Sequence, residues 1–410
     1  MIQVLHRPFV FLHAAWLAAA TGFGFFVPSM PGRIPAETGA SFIRHRVTGD
    51  FISEGVAVAD INGDGQPDII AGSTWFAAPD WKAHAIAPQV TYDPATAYSN
   101  SFLNFCLDVN QDGRIDVIRI SLPGEEAVWY ENRGDRAGDW PMHLILAHAG
   151  NESPMMADID GDGRNDLLCN DPVAREMVWM ESPRKKGDSA WTRHLIAGGG
   201  AEGTGRYTHG LGWIDMNGDG RKDVVITKGW WECPPDPAIP SPWRFHPAGL
   251  GEDCSQMLQL PEKGSAVPVV ITASAHHYGI WSHHVVPGGN PGHGWTSTLI
   301  DSSFSQSHGV AVADVNGDGY PDIITGKRYF AHNGKDPGAF EPAVLYWFEN
   351  LQGSQPGWKK HLVDDNSGVG LQVMAADMNG DGLTDIVVSN KKGVFYFQQA
   401  GVNHRKGMVK

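Results

Sequence analysis

The chain has 410 residues, more than the roughly 250–300 that one apolar core usually supports, which indicates several domains or a repeat architecture. It contains 50 glycines and 15 tryptophans with only 19% charged residues, which excludes a coiled coil, and its 10% aromatic content excludes a disordered chain. The formal net charge of −15 argues against a nucleic-acid partner.

The first element is an apolar run over residues 9–27 that follows His6 and Arg7. A basic start followed by an apolar stretch is typical of a secretory signal, which we place at residues 1–31, with a linker at 32–40. An N-terminal membrane anchor is the alternative. A signal predicts a secreted, extracellular or periplasmic protein with no membrane span after the signal is removed, because no second long apolar run follows.

The four cysteines are too few for a disulfide framework in a chain of this length. Connectivity cannot be derived from sequence alone. If an exported protein forms one bridge, we expect it between Cys233 and Cys254.

A nine-residue acidic motif recurs six times along the chain, with Asp or Asn at positions 1, 3, 5 and 9 and glycine at position 6. Calcium prefers about six to eight oxygen ligands, and the glycine permits the sharp turn that wraps a loop around the ion. The motif therefore predicts up to six structural Ca²⁺ ions. The predicted ligands are Asp60, Asn62, Asp64 and Asp68; Asp108, Asn110, Asp112 and Asp116; Asp158, Asp160, Asp162 and Asp166; Asp215, Asn217, Asp219 and Asp223; Asp314, Asn316, Asp318 and Asp322; and Asp377, Asn379, Asp381 and Asp385.

The spacing of this motif reveals a seventh, degenerate copy. Successive motifs lie about 50–60 residues apart, but Asp215 and Asp314 are 99 residues apart. Between them, residues 268–272 repeat the strand that follows the other loops, whereas Glu262 and Lys263 stand where the others carry Asp and Asn. We therefore expect a fifth unit that binds no calcium, because the lysine would repel the ion.

A second motif, an aromatic residue with histidine three positions later, gives the same count of seven when its variants are included. Its histidines recur in one outer strand of each unit, and we interpret them as structural: His45, His84, His143, His194, His246 and His361. Each unit consists of four short strands, which predicts an all-β, seven-bladed β-propeller. The chain begins with a fourth strand at Phe42 and ends with a third strand at residues 394–397. The N-terminal strand should therefore close the last blade.

Both flanks of the acidic loops carry a family resemblance. The loops are preceded by Val-Ala-Val-Ala and followed by Ile-Ile-x-Gly, and in this they resemble FG-GAP or VCBS repeats. The resemblance covers residues 41–400 and leaves 401–410 as a basic tail. It implies a propeller with calcium in the loop between the first and second strands of each blade.

The rim opposite the calcium loops is where the repeats differ from one another. Six residues before each first aspartate stand Glu54, Phe102, Glu152, His209, His308 and Leu371. Equivalent positions of a radial repeat converge on the axis, so we expect Glu54, Glu152, His209 and His308 to meet and to be able to hold a second divalent metal. The candidate catalytic residues are His209, His308, His276, Tyr278, Lys228 and Lys327, the last four of which follow second strands. His283 and His284 are interpreted as residues of a solvated loop.

Aromatic platforms beside cationic and imidazole groups suit a carbohydrate, and a histidine near a cation could remove a proton in β-elimination. The loop style is similar to that of the propeller part of aldos-2-ulose dehydratase, and secreted propellers with such chemistry occur among ulvan lyases. These likenesses imply a carbohydrate-binding protein, and if it is an enzyme, a carbohydrate lyase or sugar dehydratase. The alternative is a non-catalytic protein-interaction or adhesion module.

Overall fold

The structure, a computed structural model, describes residues 39–402 apart from 135–137, 263–264, 287–293 and 352–356. The predicted signal at 1–31, the linker up to residue 38, the tail from 403 onward and the loop residue Lys263 lie outside the described residues. The described part of the chain is one compact unit. It contains 27 β-strands and a single 3-10 helix at Ala331–Gly334.

The strands are short, as expected for a chain with many glycine turns. In chain order the first fourteen are β1 (Ala40–Thr48), β2 (Ala57–Ala59), β3 (Asp68–Ala71), β4 (Thr74–Ala77), β5 (Lys82–Ala85), β6 (Leu103–Leu107), β7 (Asp116–Ile120), β8 (Glu125–Tyr130), β9 (Met142–Ala157), β10 (Asp166–Asp171), β11 (Glu176–Glu181), β12 (Thr192–Ala197), β13 (Gly212–Ile214) and β14 (Asp223–Ile226). The others are β15 (Gly229–Glu232), β16 (Arg244–Pro247), β17 (Leu258–Leu260), β18 (Val269–Ala273), β19 (Tyr278–Val285), β20 (Trp295–Ser305), β21 (Val310–Ala313), β22 (Asp322–Gly326), β23 (Leu345–Leu351), β24 (Gly357–Asp364), β25 (Val373–Ala376), β26 (Asp385–Asn390) and β27 (Gly393–Val402).

These strands form antiparallel sheets of four, consistent with a β-propeller. Four sheets follow the chain directly: β2–β5, β13–β16, β17–β20 and β21–β24. A fifth combines β25, β26 and β27 with β1 from the other end of the chain. The remaining sheet has seven strands, β6 to β12, because the 16-residue β9 pairs with β8 through its first half and with β10 through its second half. The degenerate fifth unit is thus a sheet like the others, as its flanking strands predict.

The core consists of layers between the faces of adjacent sheets. The second strands are buried on both faces, which explains their continuous runs of β-branched residues, such as Val224 and Val225 in β14. In one layer Ile324 and Trp347 of the β21–β24 sheet pack against Phe397 of the sheet that contains β1. Each sheet therefore needs its neighbour to bury its apolar face.

The first strands of neighbouring sheets contact one another: β2 with β6, β13 with β17, β17 with β21, β21 with β25, and β25 with β2. Backbone hydrogen bonds join the segments that enter these strands. Leu371 N donates to Glu54 O (2.9 Å), Glu54 N to Ser101 O (3.0 Å) and Glu152 N to Thr208 O (2.9 Å). Residues at the entrance of the first strands are therefore held close together, although they are far apart in sequence.

The last aspartate of each acidic loop is buried and fixes the loop to its own sheet. In the first loop, Asp68 accepts hydrogen bonds from Ile61 N and from Ala78 N, both at 2.9 Å. The same pair of backbone donors meets the equivalent aspartate in the other five acidic loops. Position 9 thus has a hydrogen-bonding role that the ligand interpretation did not include.

The outer-strand histidines stack on the aromatic residue of the third strand opposite them. His194 lies 4.1 Å from Trp179 between ring centroids, and its Nε2 lies 2.6 Å from a carboxylate oxygen of Glu181. The other pairs are His45–Tyr396, His84–Trp75, His143–Trp129, His246–Trp230 and His361–Trp347. These contacts give the six histidines a packing role.

Two predictions made from the sequence are wrong. Cys233 and Cys254 are both free thiols, because they pack in different core layers, Cys233 beside Trp231 and Cys254 beside Met257. His283 and His284 are not in a solvated loop but in β19, and His283 is only 1% exposed.

Candidate metal centre

Three of the residues that the repeat pattern singled out stand at the entrances of first strands. His209 precedes β13, His308 precedes β21, and Glu152 enters the second half of β9. The turns before Glu152 and His308 are tight: Asn151 and Gln306 adopt the left-handed backbone conformation, with φ of 71° and 63°. This conformation is uncommon in non-glycine residues and directs the chain abruptly into the strand.

Four imidazoles form one cluster at this end of the strands. The ring centroid of His276 lies 4.6 Å from those of His209 and His332 and 5.8 Å from that of His308. His308 lies 5.8 Å from both His209 and His332. The predicted convergence of His209, His308 and His276 is therefore present, and the 3-10 helix adds His332 to it.

A single carboxylate orients two of these rings. Asp336 Oδ2 lies 2.6 Å from Nδ1 of His332 and 3.3 Å from Nδ1 of His276. A carboxylate only accepts, so each ring donates from Nδ1, and in the neutral form of either ring the lone pair is then on Nε2. Gln306 Nε2 donates a hydrogen bond to the same oxygen of Asp336 at 3.3 Å.

The other two rings are oriented by backbone carbonyls. Nδ1 of His209 lies 3.0 Å from Tyr207 O, and Nδ1 of His308 lies 3.4 Å from Gln306 O. The Nε2 atoms of both rings are buried and have no hydrogen-bond partner. In His276, His308 and His332, Nε2 is thus the nitrogen left available, whereas Nε2 of His209 faces the carboxylate of Glu152 at 3.4 Å.

Arg328 carries the positive charge beneath the cluster. It is 2% exposed, bonds Glu54, and lies 3.5 Å from Glu152 Oε2. Its guanidinium also lies 5.5 Å from the ring centroid of Tyr98. Glu54 is therefore occupied by Arg328 and lies in none of the groups of described residues whose ligand atoms come within 4.8 Å of one another.

The pKa values follow from burial and from this charge. Burial raises the pKa of Glu152, but His209 and Arg328 outweigh it and hold that pKa at about 2. Burial lowers the pKa of His209, yet the carboxylate of Glu152, 3.4 Å from Nε2, raises it above the ordinary value. Burial, together with the charge of Arg328, lowers the pKa of His308 far below normal. Burial also lowers the pKa of His276, and the neighbouring imidazoles add to this shift.

Three overlapping groups in this cluster could hold a metal ion. Their members are His276, His308 and His332; Glu152, His209 and His308; and His209, Asp253 and His276. In each group the ligand atoms all lie within 4.8 Å of one another. Imidazole-rich sets of this kind suit Zn²⁺, Fe²⁺, Ni²⁺ or Cu²⁺ rather than calcium or magnesium.

The remaining predicted residues lie at the margin or elsewhere. Lys228 is exposed and lines a surface depression of about 280 Å³ together with Asp253, His276 and His277. Tyr278 is exposed, and its hydroxyl donates to Glu341 at 2.7 Å. Lys327 is buried, and its ammonium group donates to Ser305, Gln306 and Gly338 instead of lining the depression that contains Lys228.

From the sequence, residues 327–332 are expected near this opening, but Arg328 and His332 were not selected as site residues, and Asp336 and Tyr98 were missed. His332 and Asp336 belong to the irregular segment between β22 and β23, where the other sheets have a tight turn, so no repeat position marks them. The available signal was the length of that connection, because loops longer than a turn often carry function.

The acidic loops have the coiled geometry that the calcium interpretation requires. In the first loop, Asp60 accepts from Gly63 N at 2.8 Å and from Gly65 N at 2.9 Å, with φ of 76° and 86° at the glycines. In the third loop, ligand oxygens of Asp158, Asp160 and Asp166 lie within 4.8 Å of one another. Converging carboxylate and amide oxygens are the donor set that calcium prefers, so these residues fit the ion.

Comparison with known families identifies the repeats. The FG-GAP repeat family matches residues 54–80 and 308–339, and the FG-GAP-like repeat family matches residues 108–169. The chain carries FG-GAP repeats. The FG-GAP segment at 308–339 contains an acidic loop together with His308, Arg328, His332 and Asp336. One FG-GAP repeat thus supplies half of the imidazole cluster.

Solved structures with a similar fold have very different sequences. They include BBS1N in complex with ARL6DN (8% identity, 88% of this chain and 96% of that chain, TM-score 0.49) and the V. cholerae biofilm matrix protein Bap1 (11% identity, 88% and 82%, TM-score 0.39). The extracellular domain of the hybrid two component system BT3049 from B. thetaiotaomicron is also similar, at 9% identity over 88% of this chain and 42% of that one, with a TM-score of 0.48. A search of curated proteins finds no match. Within the part of the chain that the structure describes, no helix is long and apolar enough to cross a membrane.

Proposed function

We propose that the FG-GAP repeats form a seven-bladed, secreted propeller that binds an acidic carbohydrate at the imidazole cluster and cleaves it by β-elimination. The seven-blade count is supported by dividing the seven-stranded sheet at β9 into two blades that share this strand. Ring closure is supported by the pairing of β1 with β27 and by the contact of β25 with β2. The first strands then surround an axis, with the calcium loops at one end and the cluster at the other.

Calcium is proposed as the structural ion of the six acidic loops. Without it, each loop gathers three or four carboxylates whose mutual repulsion opposes the coiled conformation. Six Ca²⁺ ions would add 12 charges and change the formal net charge from −15 to −3. The fully buried position-9 aspartates connect each loop to the core, so ion binding to the loops stabilises the sheets.

The single observation that carries the enzymatic proposal is the placement of His209. Its ring is 6% exposed and held against Glu152, and one of its nitrogens lies within 4.8 Å of ligand atoms of Asp253 and His276. Those two residues line the depression that also contains Lys228. A base with a raised pKa therefore lies directly below a surface site that offers an ammonium group.

This arrangement suits elimination from a sugar that carries a carboxylate. Lys228 would bind the carboxylate, and His209 would take the proton from the carbon α to it, with the carboxylate of Glu152 stabilising the imidazolium that forms. The electron pair of that C–H bond forms the double bond while the β C–O bond breaks, and the departing oxygen takes a proton from water. The hydroxide that remains takes the proton from the imidazolium of His209, which restores water and the base. The products are an unsaturated sugar and an alcohol, with atoms and charge in balance.

A panel of uronic-acid polymers, followed by the ultraviolet absorbance of the unsaturated product, tests the proposal. We expect His209→Gln to lower the elimination rate by about 10²–10⁴-fold, as loss of a general base usually does. His194→Gln, which removes a packed outer-strand histidine, serves as the matched control and should retain the rate. Binding of these polymers without any unsaturated product would instead favour a non-catalytic module. Absence of both binding and product would reject the carbohydrate proposal.

A further inference from the structure

More histidine rings of the imidazole cluster are held in a fixed orientation than proton transfer alone requires. Four rings have Nδ1 fixed by an oxygen acceptor, and two of them share one carboxylate, Asp336. A ring that only shuttles protons needs one such partner, but here four rings whose centroids lie 4.6 to 5.8 Å apart are each held at Nδ1, which brings several ring nitrogens together. Carboxylate–histidine pairs of this kind are the usual outer support of metal ligands.

We infer that His276, His308 and His332 bind one first-row divalent transition metal ion through their Nε2 atoms, with Asp336 as the positioning residue. The inference deepens the proposed function by giving the same site a metal. The ligand set predicted from the sequence changes with it. Glu54 leaves the set because Arg328 binds it, Glu152 and His209 become neighbours of His308, and His276 and His332 enter as ligands.

Distance and burial both support this set. Two nitrogens bound to one ion at about 2.1 Å can be no more than about 4.2 Å apart. The ligand atoms of the three histidines already lie within 4.8 Å of one another, so only a small closing movement of the side chains is needed. His308 is 2% exposed, and its Nε2 has no hydrogen-bond partner among the described residues. A buried polar nitrogen without a partner is costly, and an ion would satisfy it.

The surroundings determine which ion fits and what it does. Three neutral imidazoles favour Zn²⁺, Co²⁺, Fe²⁺ or Ni²⁺ over Ca²⁺, so this centre is chemically distinct from the acidic loops. Three protein ligands leave coordination positions open, which is typical of catalytic rather than structural sites. Because His276 lines the same depression as Lys228, a substrate carboxylate bound by Lys228 would also lie close to the ion, with His209 adjoining. An ion at this position would withdraw charge from the carboxylate and so acidify that proton.

Cobalt binding in the absence of substrate tests the inference. The full chain is kept in millimolar Ca²⁺, stripped of transition metals with a chelator selective for them, and titrated with Co²⁺ while visible absorbance and heat are recorded. We expect one equivalent of Co²⁺ to bind and to give the intense bands of a nitrogen-ligated ion. His276→Ala and His332→Ala, which alter partly exposed rings, should each weaken binding at least 100-fold. His194→Ala and His361→Ala are the matched controls and should change nothing.

The variant Asp336→Asn tests whether Asp336 acts by orienting His276 and His332 and is not itself a metal ligand. Loss of a carboxylate partner usually lowers metal affinity by about 10–100-fold, so this variant should retain one weaker site with the same bands. Absence of Co²⁺ and Zn²⁺ binding in the millimolar range, or binding that both His276→Ala and His332→Ala leave intact, would overturn the inference. If the protein binds the ion but shows no elimination activity, the metal site stands and the proposed reaction is rejected. If the metal-free protein shows full elimination activity, the proposed reaction stands and the inference that the metal takes part in it is overturned.

Discussion

At the scale of single residues, Arg328 determines whether the cluster can exist. It is buried among Glu54, Glu152 and the ring of Tyr98, and its charge offsets two carboxylates that burial would otherwise make costly. Burial disfavours its charged form, but the two glutamates outweigh that effect and raise its pKa further. The cluster thus contains a structural ion pair beneath a set of imidazoles with free nitrogens.

We predict that Arg328→Met destabilises the protein by about 3–5 kcal/mol, because it leaves two buried carboxylates without their partner. Chemical denaturation in saturating Ca²⁺ measures the change. The triple variant Arg328→Met, Glu54→Gln, Glu152→Gln should recover part of the loss, since the uncompensated charges are then gone.

The matched control for this prediction is Arg44→Met. Arg44 forms an exposed ion pair with Asp364 at 3.2 Å, and such pairs contribute about 0–1 kcal/mol. Equal losses for the two arginine variants would show that Arg328 acts through its volume rather than its charge.

At the scale of elements, β19 differs from the other third strands. Its His283 is enclosed between Thr272 of β18 and Ser297 of β20, and both ring nitrogens meet a hydroxyl at 2.8 Å. Hydroxyls can donate or accept, so they satisfy a neutral ring. Burial, with a smaller contribution from His284, lowers the pKa of His283 to about 4.

The sign of the resulting pH dependence follows from linkage. Between pH 6.5 and about 4 the unfolded chain binds a proton at His283 that the folded chain does not, so stability falls as the pH falls through this window. The full shift corresponds to roughly 3 kcal/mol. We predict that His283→Gln is less stable than the parent at pH 7.5 and that the gap narrows or reverses by pH 4.5, measured by urea unfolding.

His284→Gln is the control for this effect. His284 neighbours His283 but is partly exposed and hydrogen-bonds Glu262 at 3.1 Å, so its substitution should leave the slope of stability against pH nearly unchanged. A constant gap between His283→Gln and the parent across the pH range would contradict the prediction.

The repeats account for what could be predicted at this scale. Spacing placed the strands, including the sheet of β17–β20 that lacks an acidic loop, because each unit needs the same four strands to cover its neighbour. The entrance residues His209, His308 and Glu152 were found for the same reason. His332 and Asp336 were not, since they come from an insertion with no counterpart in other units. The environment of Lys327 could not be predicted either, because its backbone position is repeat-like while its ammonium group is buried against Gln306.

At the scale of the whole molecule, the sheets depend on one another and on both ends of the chain. Each apolar face is covered only by the next sheet, and β27 is covered on its outer edge only by β1. Stability gained in one loop is therefore shared by neighbouring layers. The position-9 aspartates make this connection directly, because they bond the loop and the third strand together.

We predict that removal of calcium lowers the melting temperature strongly and that added Ca²⁺ restores it. An ion at 100 times its Kd stabilises the native state by about 2.7 kcal/mol for each site, so several sites together exceed the stability of many domains. Differential scanning calorimetry with a calcium chelator measures the effect. Asp64→Ala should shift melting more than Asp188→Ala, a change in an exposed turn without an acidic loop. A melting temperature that the chelator leaves unchanged would show that calcium does not stabilise the fold.

The length of β9 has a consequence for how the protein opens. Elsewhere a connecting loop separates the fourth strand of one sheet from the first strand of the next, and local fraying can stop at each such loop. In β9, pairing with Glu125–Tyr130 ends at Ala149 and pairing with β10 begins at the next residue, Gly150, so the two sheets are separated only by a bulge at residues 151–154 within the strand. Amide protons on both halves should therefore exchange with deuterium at one common rate, as a single foldon. Proteases that cut between other sheets would find no exposed site there, so a fragment of about one quarter of the chain should survive digestion intact.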